Sequence, residues 1–266
     1  MRYIKSYAND AAIQEAVDNK SLGKPYVALN ESAGTIDWNG KDKNYFRITN
    51  NTDAEGSINI IKSGTPADLV LRIRTNGGDW SPSITFQETS TIPLPANGYV
   101  DFDGSENIYY GVLGYSGNIY KISADVKFSV SGDIMSLCSS DLYNSAFAFL
   151  FQNARNLVDA SGLILPSVTE AKCYSSMFYG CTSLTTAPEL PATTLADGCY
   201  QSMFRGCSNL KYLKCLATNI STGSSSPTTY NWVRDVPSGG TFVKKAGVTW
   251  PTGASGIPKN WTVIEE

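Results

Sequence analysis

Between residues 44 and 130, short runs rich in β-branched and aromatic residues recur between turn-forming residues, the pattern of an all-β domain. The runs cover 45–48, 56–61, 69–74, 83–86, 99–102, 108–112 and 126–130. In the third, Leu69, Leu71 and Ile73 alternate with Val70, Arg72 and Arg74, the period of a strand with one face turned inward. Asn76-Gly77-Gly78-Asp79 then supplies residues that tolerate a positive φ. Strand number and spacing predict a β-sandwich over 44–130. Ahead of it, Asp10 is placed to cap a short helix with Ile13, Ala16 and Val17 on its apolar face, and Gly23 suits the turn that follows. Two short strands over 25–29 and 35–39 complete an α+β unit at 1–43, too small to hold much core of its own and therefore expected to dock onto something else.

From residue 131 the period changes. Cys173-Tyr174-Ser175-Ser176-Met177-Phe178-Tyr179-Gly180-Cys181-Thr182-Ser183-Leu184 returns 26 residues later as Cys199-Tyr200-Gln201-Ser202-Met203-Phe204-Arg205-Gly206-Cys207-Ser208-Asn209-Leu210. A degenerate copy precedes them, with Phe151 and Leu157 in the places of Phe178 and Leu184. Repeats in the twenties predict a solenoid whose coils stack equivalent apolar side chains into a ladder. A second apolar pair follows each copy, at Leu165-Pro166, Leu190-Pro191 and Cys215-Leu216, so each coil gains a second apolar corner. The solenoid is expected over 131–222. Beyond a Gly/Ser-rich crossing, 223–266 carries Trp232, Phe242, Val243, Trp250 and Trp261 and is expected to seal the open end as a C-terminal cap.

Composition narrows the function more than the fold. The 266 residues carry a net charge of −3 with no dense Lys/Arg run, which argues against a nucleic-acid partner. There is no His at all, which excludes His-based acid–base and nucleophilic catalysis and the commonest metal ligand. No apolar run is long enough to span a bilayer, and the first ten residues hold no signal-peptide core, so neither membrane insertion nor export through this end is expected.

Few residues remain as candidates for chemistry. Cys173, Cys181, Cys199 and Cys207 form two pairs of wide spacing, and with Cys138 and Cys215 they lack the close spacing or His partners of a metal site. They read as buried ladder thiols. Asp101, Asp103 and Glu106 alternate around Gly104, loosely like a calcium loop, but the later ligands are missing and a solvated turn is expected. Asp133, Asp141 and Asp159 carry almost no signal as an acid pair. No cofactor, metal or catalytic residue is expected. Tyr174, Tyr179, Tyr200, Gln201 and Arg205 occupy the less invariant slots around Met-Phe-x-Gly-Cys, so as a set they suggest an outward binding face. Tyr3, Tyr7 and Tyr26 are the corresponding docking contacts of the first unit, or else its own small core.

The repeats 177–184 and 187–195 resemble BspA-like leucine-rich repeats, which occur in surface proteins of gut Bacteroidales and in phages that infect them. The ending 239–263 is similar to the closing segment of that family, and Arg74-Thr75-Asn76-Gly77-Gly78-Asp79-Trp80 resembles the β domain often placed before the repeats. The opening 3–14, with Gly23-Lys24-Pro25 and Ile36-Asp37-Trp38, resembles the start of virion structural proteins of crAss-like gut phages. These resemblances imply a mainly β, non-enzymatic virion protein, a head or tail fibre or a capsid decoration, that contacts other virion proteins and displays the repeats to a host protein or glycan. Symmetric attachment sites imply a homo-oligomer. A bacterial cell-surface adhesin and the glycan-binding module of a carbohydrate-active enzyme are the alternatives.

Overall fold

The computed structural model describes residues 28–29, 36–37, 44–65, 68–105, 119–138, 142–220 and 227–266. The chain divides into two compact units, Met1–Asn44 and Tyr45–Glu266. In the first, β1 (Ala28–Leu29) pairs antiparallel with β2 (Ile36–Asp37). The expected helix at residues 10–17 lies outside the described residues.

The second unit is mainly β. It runs through β3 (Phe46–Asn50), β4 (Gly56–Ser63), β5 (Leu69–Thr75), β6 (Ile84–Phe86), β7 (Ser90–Leu94), β8 (Tyr99–Asp103), β9 (Ile119–Ala124) and β10 (Phe128–Asp133). Then follow a 3-10 turn at Ile134–Leu137, β11 (Leu157–Ile164), β12 (Tyr212–Cys215), β13 (Thr241–Lys244) and β14 (Thr262–Glu265). Among the described residues no helix is long and apolar enough to cross a membrane.

One sheet has the order β11-β10-β3-β8-β5-β6 and another the order β7-β4-β9. Alternation decides which side chains meet between them. Phe46 and Ile48 of β3, Val100 and Phe102 of β8, and Leu69 and Leu71 of β5 point into one core with Ile58 and Ile60 of β4 and Ile122 of β9. Tyr120 of β9 ties the two sheets together: its hydroxyl donates to Phe86 O at 2.7 Å and accepts from Leu69 N at 3.2 Å. Two strands escaped the sequence reading. β7 contains Pro93, which normally argues against a strand, and it is tolerated because among the described residues β7 pairs with β4 alone and is an edge strand. β9 buries Ile119, Tyr120, Ile122 and Ala124 against β4. The run at 108–112 lies outside the described residues.

The expected boundary at residue 130 falls inside β10, which is antiparallel to β3 on one side and parallel to β11 on the other. The parallel ladder then continues through Asp159, Thr186 and Tyr212 to Thr241 and Thr262, one rung from each successive pass of the chain. Phe46 and Phe151 bring their rings to 6.1 Å at this seam. A single core therefore runs from the sheets into the repeats.

Opposite the ladder, each pass consists of consecutive turns with an alternating hydrogen-bond code. Ser175, Met177 and Tyr179 donate their amides back within the coil, to Lys172, Tyr174 and Ser176, while Tyr174, Ser176, Phe178 and Gly180 donate across to Cys199, Gln201, Met203 and Arg205 of the next coil. The same code links 145–153 to 171–179 and 200–206 to 228–234. Every fourth residue takes a positive φ, as at Lys172, Ser176 and Gly180, then Gly198, Ser202 and Gly206. Gly, Ser and Asn hold most of these places, Gly at no steric cost, while Lys172 and Phe149 take the same left-handed conformation against its penalty. This satisfies the backbone without a helix or a strand, so the segments lacked either periodicity in sequence.

Inside the coils two aromatic columns rise. Phe147, Tyr174, Tyr200 and Trp232 stack at 6.1, 6.1 and 6.2 Å. Phe151, Phe178 and Phe204 stack at 5.4 Å each. Trp250 stacks on Trp232 at 5.4 Å, and Trp232 donates its indole N–H to Gly256 O at 2.7 Å. Offset aromatic pairs of this kind add about 0.5–1.5 kcal/mol each beyond their burial.

Candidate functional site

The turn side of the repeats presents one outward position per coil between the inward aromatic and the Gly corner. Tyr179, Arg205 and Arg234 occupy it in successive coils, since Asn153, Gly180 and Gly206 donate their amides to the carbonyls of these three. The Arg205 guanidinium lies 5.6 Å from the Tyr179 ring centre and 3.7 Å from the Asp235 carboxylate, with Arg234 3.9 Å from the same carboxylate. Gln201 is half-buried two turns earlier, with its carbonyl accepting from Ser176 N at 2.8 Å. Tyr179, Gln201 and Arg205 are half-buried along this turn side, with Arg234 and Asp235 beside Arg205. The sequence carried a signal for the newcomers in the polar pair that follows Trp232-Val233, but the repeat there is too degenerate to align by eye.

Tyr174 and Tyr200 do not belong to this face. They are 0% and 1% exposed and form the middle of an aromatic column. The reason is the four-residue turn period: Tyr174 stands four residues before Phe178, and Tyr200 four before Phe204, so each shares its partner's inward direction. Burial pushes both phenols far above their ordinary value. Among the described residues the Tyr174 hydroxyl finds no hydrogen-bond partner. Tyr3, Tyr7 and Tyr26 lie outside the described residues.

The ladder side offers a second exposed strip that the sequence reading did not single out. Thr185, Lys211 and Tyr212 are exposed there, and Lys214 reaches Glu189 at 3.1 Å and Glu266 at 2.8 Å. The two carboxylates, Glu266 foremost, hold the Lys214 ammonium above its ordinary value. Such exposed pairs add little stability but fix the charge pattern of the strip. The signal was the pair of residues after Leu184 and Leu210, which point outward from each rung.

The thiols are spent inside the stack. Cys173, Cys181, Cys199, Cys207 and Cys215 are free and buried. Cys181 Sγ donates to Phe151 O at 3.0 Å and Cys207 Sγ to Phe178 O at 3.1 Å, each reaching back one coil. Burial pushes the Cys199 and Cys215 thiols up to about 12, so neither is a thiolate nucleophile near neutral pH. The expected solvated turn at Asp101 and Asp103 is corrected by the structure. Both carboxylates lie in β8 and are buried, 0% and 3% exposed, because arginines on the flanking strands β3 and β5 cover them. No family model matches the sequence, and neither a curated protein nor a solved structure matches it.

Proposed function

We propose that this chain is a non-enzymatic structural protein of a bacteriophage virion, a head or tail fibre or a capsid decoration, that displays a repeat surface for adhesion. In this reading residues 1–43 form an α+β docking unit, 44–130 a β-sandwich spacer, 131–222 a BspA-like leucine-rich-repeat solenoid and 223–266 its C-terminal cap. The observation that carries the adhesive half is the row Tyr179, Arg205, Arg234. Consecutive coils place three recognition-type side chains in register on a backbone whose amides alternate between bonds within the coil and bonds to the next, so the surface is rigid and its contents are free to vary. Tyr and Arg presented on a rigid support lose little entropy on binding and are the residues that anchor interfaces. The particle half rests on the resemblance of the opening residues to virion proteins and on the separation of Met1–Asn44 as a compact unit of its own. Its partners are then other virion proteins on one side and a host surface protein or glycan on the other, with a homo-oligomer multiplying weak contacts.

Mass spectrometry of density-purified particles beside washed cell envelopes from the source culture tests this. Peptides from residues 1–20 recovered in particles are the expected result. Their recovery only in envelopes, joined to additional upstream sequence, overturns the virion reading in favour of a cell-bound adhesin.

A further inference from the structure

A second surface lies on the outer face of the sheet that contains β3, β8 and β5. Alternation sends Arg47, Asp101, Asp103, Arg72 and Arg74 to this face while Phe46, Phe102 and Leu71 go inward. Asp101 is clasped from both sides: Arg47 Nε donates to Oδ1 at 2.6 Å and its Nη2 to Oδ2 at 3.1 Å, while Arg74 Nε donates to Oδ2 at 2.9 Å. Arg72 pairs with Asp103. Among the described residues three guanidiniums thus face these two carboxylates.

Aromatic rings frame these cations. Tyr99 lies under Arg47, 3.6 Å from ring centre to guanidinium. Trp80 lies 4.9 Å from Arg74 and 5.5 Å from Arg72, and meets Tyr45 edge to face at 4.6 Å. The position of Trp80 is fixed by its neighbour: Ser81 N donates to Ile73 O at 2.8 Å, and Ser81 Oγ accepts from Ile73 N at 3.0 Å. This folds the Asn76–Ser81 segment back along β5.

The arrangement exceeds what burying two carboxylates requires. Arg74 commits only Nε, and among the described residues its terminal amino groups make no hydrogen bond. Among the described residues Arg72 Nε is buried without a hydrogen-bond partner. The guanidiniums of Arg47 and Arg74 keep 35% and 26% of their side-chain surface exposed, and Tyr45, Trp80 and Tyr99 are half-buried and sit outside the apolar core. The guanidinium of Arg74 thus keeps its terminal in-plane donors uncommitted, and such a pair matches a carboxylate in two-point geometry. A half-exposed indole beside them offers a flat apolar platform.

We propose that this face binds a carboxylate-bearing sugar, with Arg74 and Arg47 taking the carboxylate and Trp80 stacking against the apolar face of the ring. The uncommitted terminal donors of Arg74 select an anion, and the aromatic platform selects a sugar over an acidic peptide. The site is distinct from the repeat surface and stands or falls without it.

The test is calorimetric titration of the full chain with three probes: a galacturonate tetramer, its carboxyl-reduced galactose counterpart and a glutamate tetrapeptide. The galacturonate tetramer is expected to bind at least tenfold more tightly than either of the others. Arg74→Gln and Trp80→Ala are each expected to weaken it by roughly tenfold, the worth of one charged hydrogen bond or one stacked ring. Trp80→Phe, which keeps a ring, retains most of the binding and guards against a folding defect, which thermal melting of each variant also reports. Equal binding of the neutral tetramer, equal binding of the peptide, absence of galacturonate binding, or galacturonate binding untouched by substitutions that leave the fold intact would each overturn the proposal.

Discussion

Gly180 and Gly206 occupy the same corner of successive coils, with φ of 72° and 76°, yet they differ in what stands beyond them. A Cβ added at Gly180 meets Asn153 Oδ1 inside 3.0 Å, where real Cβ atoms are not found, whereas a Cβ at Gly206 meets nothing nearer than the Gly180 backbone at 3.7 Å. Both alanines pay the left-handed penalty of about 1–2 kcal/mol. Only Gly180→Ala must also displace Asn153, whose side chain is pushed off its rotamer at a further cost of about 0.5–1.5 kcal/mol. Gly206→Ala is therefore expected to cost about 1.5 kcal/mol and Gly180→Ala about 2.5 kcal/mol. Urea unfolding with unchanged m-values measures both. The cycle through Asn153→Ala isolates the difference, because Gly180→Ala in that background is expected to cost no more than Gly206→Ala. Equal costs in the parent protein, or a difference that survives Asn153→Ala, would refute the corner-stacking account.

Three further outcomes follow from buried groups. Tyr174→Phe removes an unpartnered hydroxyl from an aromatic column and is expected to leave stability unchanged or raise it by about 1 kcal/mol, and a loss larger than that by thermal or urea unfolding would show that the hydroxyl is in use. Asp101→Asn weakens bonds from two arginines at once and is expected to cost about 3 kcal/mol by the same assay, whereas Tyr179→Ala on the half-exposed turn face is expected to cost far less. The five buried thiols are expected to resist a disulfide reagent at pH 8 in native protein, with half-buried Cys138 reacting first. Because burial raises Cys199 and Cys215 from 9.0 to about 12, their contribution to stability is complete below pH 9. It declines as pH rises toward 12, since the unfolded chain releases protons that the folded one retains. A stability that stays flat across that window would contradict the burial.

The inward and outward residues of β5 could be assigned from the chain alone, because a strand's period of two needs no partner to be recognised. The 26-residue repeat likewise announced stacked Phe178 and Phe204 and their buried thiols, since identical residues at a fixed spacing can bury themselves only on one another. Local sequence could not show that β10 joins the sheets to the repeats, because a strand's neighbours are chosen by packing far along the chain. Nor did it place Tyr174 and Tyr200: both copies carry Tyr in this slot, a residue at home on a surface as well as in a core, and only the four-residue turn period, which belongs to neither helix nor strand, turned them inward. The Arg47–Asp101–Arg74 clasp lay furthest from view. Its members are separated by 54 and 27 residues, and what made Asp101 a buried carboxylate instead of a solvated one is the pair of strands that tertiary pairing set on either side of it.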